Sequence, residues 1–115
     1  GKVSAVLDWE MAALGDPCID LAWGIAIDDC NSKGVHVDRL SGFPGPVATI
    51  AKWEALTGFS AENFDYYYIL ALYKFTVIMV KVVRKLEHYE MMPLGMNAHI
   101  NNHVTPMLEA KLKEL

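Results

Sequence analysis

From Phe64 onward the sequence carries apolar residues at helical spacing for seven turns, and no other feature restricts the possible folds as tightly. Phe64, Tyr68, Ala71, Phe75, Ile78, Met79, Val82, Leu86 and Tyr89 follow i, i+3, i+4, i+7 spacing, the signature of one buried face on a helix running to about Glu90. The opposite side turns polar only in its last third, at Lys81, Arg84, Lys85, Glu87 and His88. Its first two thirds are therefore expected to be enclosed by other helices, in a fold that is mainly α.

At 115 residues the chain is one domain or a piece of one. A hydrophobic fraction of 53% with a mean hydropathy of +0.19 is high for a small protein that must cover itself with polar surface. Either the apolar faces are buried very efficiently, or some are normally buried against something else. A membrane span is not expected, because Tyr66 to Val80 is interrupted by Lys74 and followed by Lys81 and Arg84, short of the ~20 apolar residues a span needs. Nucleic acid is not expected as a partner, because with a net charge of −4, from 14 acidic and 10 basic residues, nothing favours a phosphate backbone.

Cys18 and Cys30 lie on what reads as one helix, whose rise of ~1.5 Å per residue would hold them ~18 Å apart, too far to bridge. Two buried thiols in a reducing cytoplasm are expected. No secretory signal pattern stands at the N-terminus. The chain starts at Gly1 without a methionine, which suggests a tag remnant, a processed end or a cut through a longer protein.

Val3 to Leu7 reads as a short buried β-strand ending at Asp8. A lone strand leaves its backbone groups unpaired, so its partner is expected from another segment or another copy. Asp16-Pro17 is a helix start, with Asp16 as cap and Pro17 at the first helical position. That helix should reach about Asp29 and be buried most of the way round. Asn31 to Pro46 reads as a loop with at most one helical turn near Val37 to Leu40. Pro46 opens a helix to Leu56 with Gly58 as its stop. After the long helix, a weak helix is expected from Met96 to Val104, then Thr105-Pro106 starts a last one.

Asp8, Asp16 and Asp20 are the candidates for chemistry. A carboxylate at the end of a strand can hold Mg²⁺ while the following loop leaves room for water and phosphate. The plainer alternative is that Asp8 caps a turn and Asp16 caps a helix, and spacing leaves both open. The run Val6-Leu7-Asp8-Trp9-Glu10, then Gly15-Asp16-Pro17, then Asp20-Leu21-Ala22, resembles the segment after the catalytic loop in the aminoglycoside phosphotransferase and choline kinase-like superfamily, relatives of protein kinases. Phe43-Pro44-Gly45, Trp53 to Gly58, and Tyr66-Tyr67-Tyr68 leading to Lys74 and Phe75 resemble the later part of the subgroup that includes acyl-CoA dehydrogenase-associated phosphotransferase domains.

That resemblance implies a helical C-terminal lobe of a protein-kinase-like fold, a single partial domain over residues 1–115, preceded by one short strand. It implies that Asp8 binds the Mg²⁺ bridging the ATP phosphates, that Glu10 supports the metal site from outside the ligand set, and that Asp20, matching a buried acid that hydrogen-bonds the catalytic loop in this superfamily, keeps that loop in place with Asp16. Mg²⁺, ATP and a small-molecule acceptor are implied for the full-length parent. The family's His-x-Asp catalytic loop should lie shortly before Asp8, yet seven residues precede Asp8. The glycine-rich loop and the phosphate-gripping lysine belong further upstream still. Without them, positioning and charge neutralisation of the phosphoryl group fail, so this chain alone is not expected to be a competent kinase.

Lacking that covering lobe, the helices should expose a large apolar patch, and a homodimer is expected, with Val3 to Leu7 pairing across the two-fold. A helical interaction module without catalysis is the other reading. His99 and His103, at i, i+4, could ligate a metal together, but solvated histidines are the simpler expectation. Of the consecutive Tyr66, Tyr67 and Tyr68, at least one must be core.

Overall fold

Asp16 and Pro17 open the first helix as their chemistry directs. In the computed structural model, which describes residues 2–9 and 12–115, α1 spans Cys18–Asn31. Pro17 already has helical angles (φ −58, ψ −22). The Asp16 carboxylate accepts a hydrogen bond from the Cys18 backbone N–H at 2.8 Å, satisfying an amide that a helix start leaves free. The covered residues of α1 are Cys18, Leu21, Ala22, Ile25, Ala26, Asp29 and Cys30. Their spacing makes one stripe, so α1 is buried along a single face rather than most of the way round.

The second helix, α2, spans Pro46–Thr57. Gly58 stops it in the left-handed conformation (φ 74), its N–H returning to the Glu54 carbonyl, a position glycine fills without a Cβ penalty. The long helix, α3, spans Phe64–His88. The last, α4, spans Thr105–Leu112 with Pro106 in its first turn.

Three expectations about local structure are corrected. No strand is present among the described residues: Val3 to Leu7 is irregular, with Val3 and Leu7 86% and 80% exposed, because no second segment offers the ladder of partners a strand needs. The helical turn of this loop is a 3₁₀ turn at Lys33–Val35, ahead of the stretch where the loop was expected to coil. The stretch from Met96 to Val104 forms turns and bends. There the Asn102 side-chain oxygen accepts from the backbone N–H groups of Val104 (2.9 Å) and Thr105 (3.2 Å). This local competition draws the backbone out of a helix and delivers it to the start of α4.

The core forms where the α1 stripe meets Tyr68, Ala71 and Leu72 of α3 and Val104. Trp23 meets Phe75 edge-on at 5.9 Å between ring centres. Ile50 and Trp53 of α2 and Met107 and Leu108 of α4 close the margins. Two neighbouring tyrosines of α3 reach opposite ends of α1, Tyr67 to Asp16 and Tyr68 to Asp29, which sets the start of α3 across α1.

The inner face of α3 is narrower than its periodicity implies, since Val82 and Tyr89 are 40% and 61% exposed. Its first two thirds are not enclosed either: Tyr66, Tyr73 and Val77 stand open to solvent. The chain exposes 8794 Å² where a compact protein of its mass exposes about 6,300 Å². Its radius of gyration is 16.0 Å against about 13 Å for a compact chain of this length. α3 is long and apolar enough to cross a membrane by length and composition, yet one face of it is packed on α1.

Candidate functional site

The acids ahead of and within the start of α1 occupy different environments. Asp8 has a left-handed backbone (φ 70), a conformation aspartate tolerates better than most residues. It is exposed, and its carboxylate makes no hydrogen bond or ion pair among the described residues. Asp16 is engaged on both oxygens: one receives the Cys18 N–H, and the other receives the Tyr67 hydroxyl at 3.0 Å. That bond to Asp16 is the main reason the Tyr67 hydroxyl is pushed above its ordinary pKa. Asp20 is exposed on the first turn of α1. With Gly24 and Asp28 it lines an open groove of about 220 Å³ whose other wall is Phe43, Pro44 and Thr49.

Glu10 lies outside the described residues. No group of three or more His, Cys, Asp or Glu side chains that could hold a metal occurs among the described residues, so the structure does not gather Asp8, Asp16 and Asp20 into one ligand set. His99 and His103 do not share a helix. Both are partly buried, His99 Nδ1 and His103 Nε2 lack hydrogen-bond partners, and His103 stands edge-on to Phe75 at 6.2 Å.

The densest polar cluster sits at the other end of α1, and sequence reasoning missed it. Asp29, 4% exposed, receives the Tyr68 hydroxyl at 2.8 Å, the Lys33 ammonium at 3.0 Å and the Arg39 guanidinium. Arg39 also donates to Asp28 at 2.6 Å. Burial taken alone would raise the Asp29 carboxyl. The hydrogen bonds from Lys33 and Tyr68, the Lys33 charge and the bond from Arg39 together outweigh it and hold the group below its ordinary value. Tyr68 is pushed up, first by burial and then by its bond to Asp29.

The thiol of Cys30, fully buried one residue on, is pushed up to about 11 by burial and then by the Asp29 charge. Cys18 is likewise a free buried thiol, raised by burial first and then by Asp16 and Glu54. These thiols are inert at neutral pH. An ionised carboxylate with three donors has no chemistry left to offer. The Asp29 cluster anchors α1, α3 and the loop carrying Arg39, and it is a structural centre rather than a reactive one.

A signal for it exists in the sequence. Two adjacent acids at a helix C-terminus oppose the helix dipole, so Asp28-Asp29 demands nearby cations. Lys33 stands one helical turn further on, but the reach of Arg39 across its loop and of Tyr68 from α3 cannot be read from spacing.

No protein-family model, no curated protein and no solved structure matches this chain. Among the described residues the Asp8 and Asp20 carboxylates have no hydrogen-bond or ion-pair partner, and Asp20 borders the open groove.

Proposed function

We propose that these residues form part of the helical lobe of an ATP-dependent phosphotransferase of the aminoglycoside phosphotransferase kind, which moves a phosphoryl group to a hydroxyl of a small molecule. The observation that supports this reading is the contrast at the start of α1. Asp16 is engaged in capping, while Asp8, eight residues earlier, is exposed and has no hydrogen-bond or ion-pair partner among the described residues. One free acid fits a nucleotide-bound Mg²⁺, which takes one or two protein carboxylates and fills its shell with water and phosphate oxygens.

In this reading Asp8 supplies that carboxylate, Glu10 supports it from nearby, and Asp20 braces the catalytic loop of the parent protein. The metal when bound neutralises charge on the phosphates. Asp16 acts at one remove, by fixing the first turn of α1. The base and the phosphate-gripping lysine lie outside these residues, so the chain by itself binds but does not turn over. Calorimetric titration with ATP, with and without Mg²⁺, tests the reading. Weak binding that requires Mg²⁺ and disappears in Asp8→Asn is expected, and the absence of any Mg²⁺-dependent heat defeats it.

A second reading, a helical module that self-associates without catalysis, is supported by the surface in excess of a compact chain. The buried, unbridged Cys18 and Cys30 suit the reducing cytoplasm in which either would work.

A further inference from the structure

The outer face of α3 joins exposed apolar residues to a line of cations. Lys74, Lys81, Arg84, Lys85 and His88 fall at i, i+7, i+10, i+11 and i+14, one face of a helix, and all five are exposed. Neither Arg84 nor any of these lysines is in an ion pair among the described residues. Tyr66, Tyr73 and Val77, 66%, 57% and 45% exposed, run beside them. Val77 stands one turn from Tyr73 and Lys74 on one side and from Lys81 on the other.

The acids of α3 keep away from this face. At 3.6 residues per turn, Asp65 and Glu87 both fall more than about 90° from the middle of the cationic line. Residues 74–88 therefore hold four cations and a single acid in a chain whose net charge is −4. Beyond the helix, the exposed Glu90 is the next acid.

We propose that this face docks on an anionic lipid bilayer, with α3 lying in the plane of the surface rather than across it. Tyr73 and Val77 enter the headgroup region, and Lys74, Lys81, Arg84 and Lys85 meet the lipid headgroup charges. The proposal goes beyond both readings above and depends on neither.

Charge complementarity selects the occupant. Four cations on an amphipathic helix suit an anionic leaflet, and the lysine stems can lie along apolar surface while their ammonium groups stay among the headgroups. Lys74 opposes a span but favours a helix lying on the surface. The inner face of α3 stays packed on α1, so contact from one side leaves the fold intact. A nucleic acid would answer the cations and leave Tyr73 and Val77 against phosphate. A second copy meeting this face through the same face would bring two cationic lines together.

Co-sedimentation of the whole chain with vesicles tests this, with circular dichroism to show that each variant keeps its helices. Binding to phosphatidylcholine vesicles containing phosphatidylglycerol is expected, with little to phosphatidylcholine alone, and it should weaken as salt rises from about 0.1 M to about 1 M. The double variant Lys81→Glu/Arg84→Glu and the single Val77→Glu should each lower the partition coefficient about tenfold or more. Leu56→Glu, at a 75% exposed site on α2, should leave it unchanged. In Tyr73→Trp the added indole emission should shift to the blue on vesicles.

No binding to the phosphatidylglycerol vesicles overturns the proposal and leaves the phosphotransferase reading, which ATP titration addresses, untouched. Equal binding to phosphatidylcholine alone overturns the role of the cations. Binding that survives both Lys81→Glu/Arg84→Glu and Val77→Glu overturns this face as the docking surface. Binding kept in Val77→Glu, with no blue shift in Tyr73→Trp, overturns entry of the apolar residues. A chain that is dimeric without lipid and monomeric in Val77→Glu gives the face to a second copy and overturns the bilayer.

Discussion

The two ends of α1 carry the same residue type under opposite conditions. At its start Asp16 and Asp20 sit where the helix dipole favours negative charge, so neither needs a cation. Asp16 is held by a backbone amide and a tyrosine, and Asp20 is bare. At its end Asp28 and Asp29 sit where the dipole opposes them, and Asp29 is buried as well. That end is tolerable only because Lys33, Arg39 and Tyr68 converge on it. At the favourable end Asp16 caps the helix and Asp20 makes no hydrogen bond or ion pair among the described residues, whereas the acids at the unfavourable end are consumed in holding the fold together.

Removing Asp29 breaks this contrast hardest. Asp29→Ala leaves Arg39 without its buried partner and strands the Tyr68 hydroxyl in the core. Losing one member of a buried ion pair typically costs about 3 kcal/mol or more. Asp20→Ala, exposed and unpartnered, should stay within about 0.5 kcal/mol of wild type. Urea denaturation of both reads the difference in midpoint at constant slope, and equal midpoints would remove the distinction between the two ends.

Acid dissects the same cluster. Asp29 is held below its ordinary carboxyl value in the folded chain, so the unfolded chain takes up the proton first as pH falls. The stabilisation is therefore complete above the unfolded value, ordinarily 3.8, and drains as pH drops through the folded one. Asp29→Asn should flatten the acid limb of a stability-against-pH curve. Cys30 acts at the other extreme: its folded value of about 11 exceeds the ordinary 9.0, so stability falls as pH rises between the two. Cys30→Ala should remove that part of the alkaline loss.

Tyr68→Phe is a gentler cut. It keeps the ring against Phe64, whose centre lies 5.7 Å away, and deletes the hydroxyl that Asp29 accepts. About 1–2 kcal/mol is expected for a hydrogen bond to a charged group that Lys33 and Arg39 still satisfy in part. A loss as large as that of Asp29→Ala would mean that the tyrosine, and not the cations, keeps Asp29 ionised.

How much of this was legible depends on whether a feature is local. The Asp16-Pro17 start of α1, the Gly58 stop of α2, the extent of α3 and the Thr105-Pro106 start of α4 all follow from residues within a turn of where they act. The strand at Val3 to Leu7 was misread because a strand's identity lies in its partner. The Met96 to Val104 stretch was misread because Asn102 competes for its backbone.

The enclosure of α3 was misjudged for a different reason. Periodicity marks which residues are apolar, and α3 is apolar on two faces of which this chain covers one. At the candidate site, the exposure of Asp8 and Asp20 is a tertiary fact. The Asp29 cluster joins residues 10 and 39 positions apart, beyond any local pattern.

The smallest effects on stability sharpen the contrast most. Asp16→Ala removes a cap and the acceptor of the partly buried Tyr67 hydroxyl, a loss of about 1 kcal/mol. Asp8→Asn removes nothing the fold uses, and its denaturation midpoint should not move. If Asp8 is free because it serves a ligand, Asp8→Asn alone of these variants must abolish Mg²⁺-dependent ATP binding without touching stability. Asp16→Ala should weaken binding only so far as the first turn of α1 frays. A chain in which Asp8→Asn shifts the urea midpoint as much as Asp16→Ala does would show that Asp8 caps the left-handed turn it occupies, and its freedom would then be no evidence for a metal.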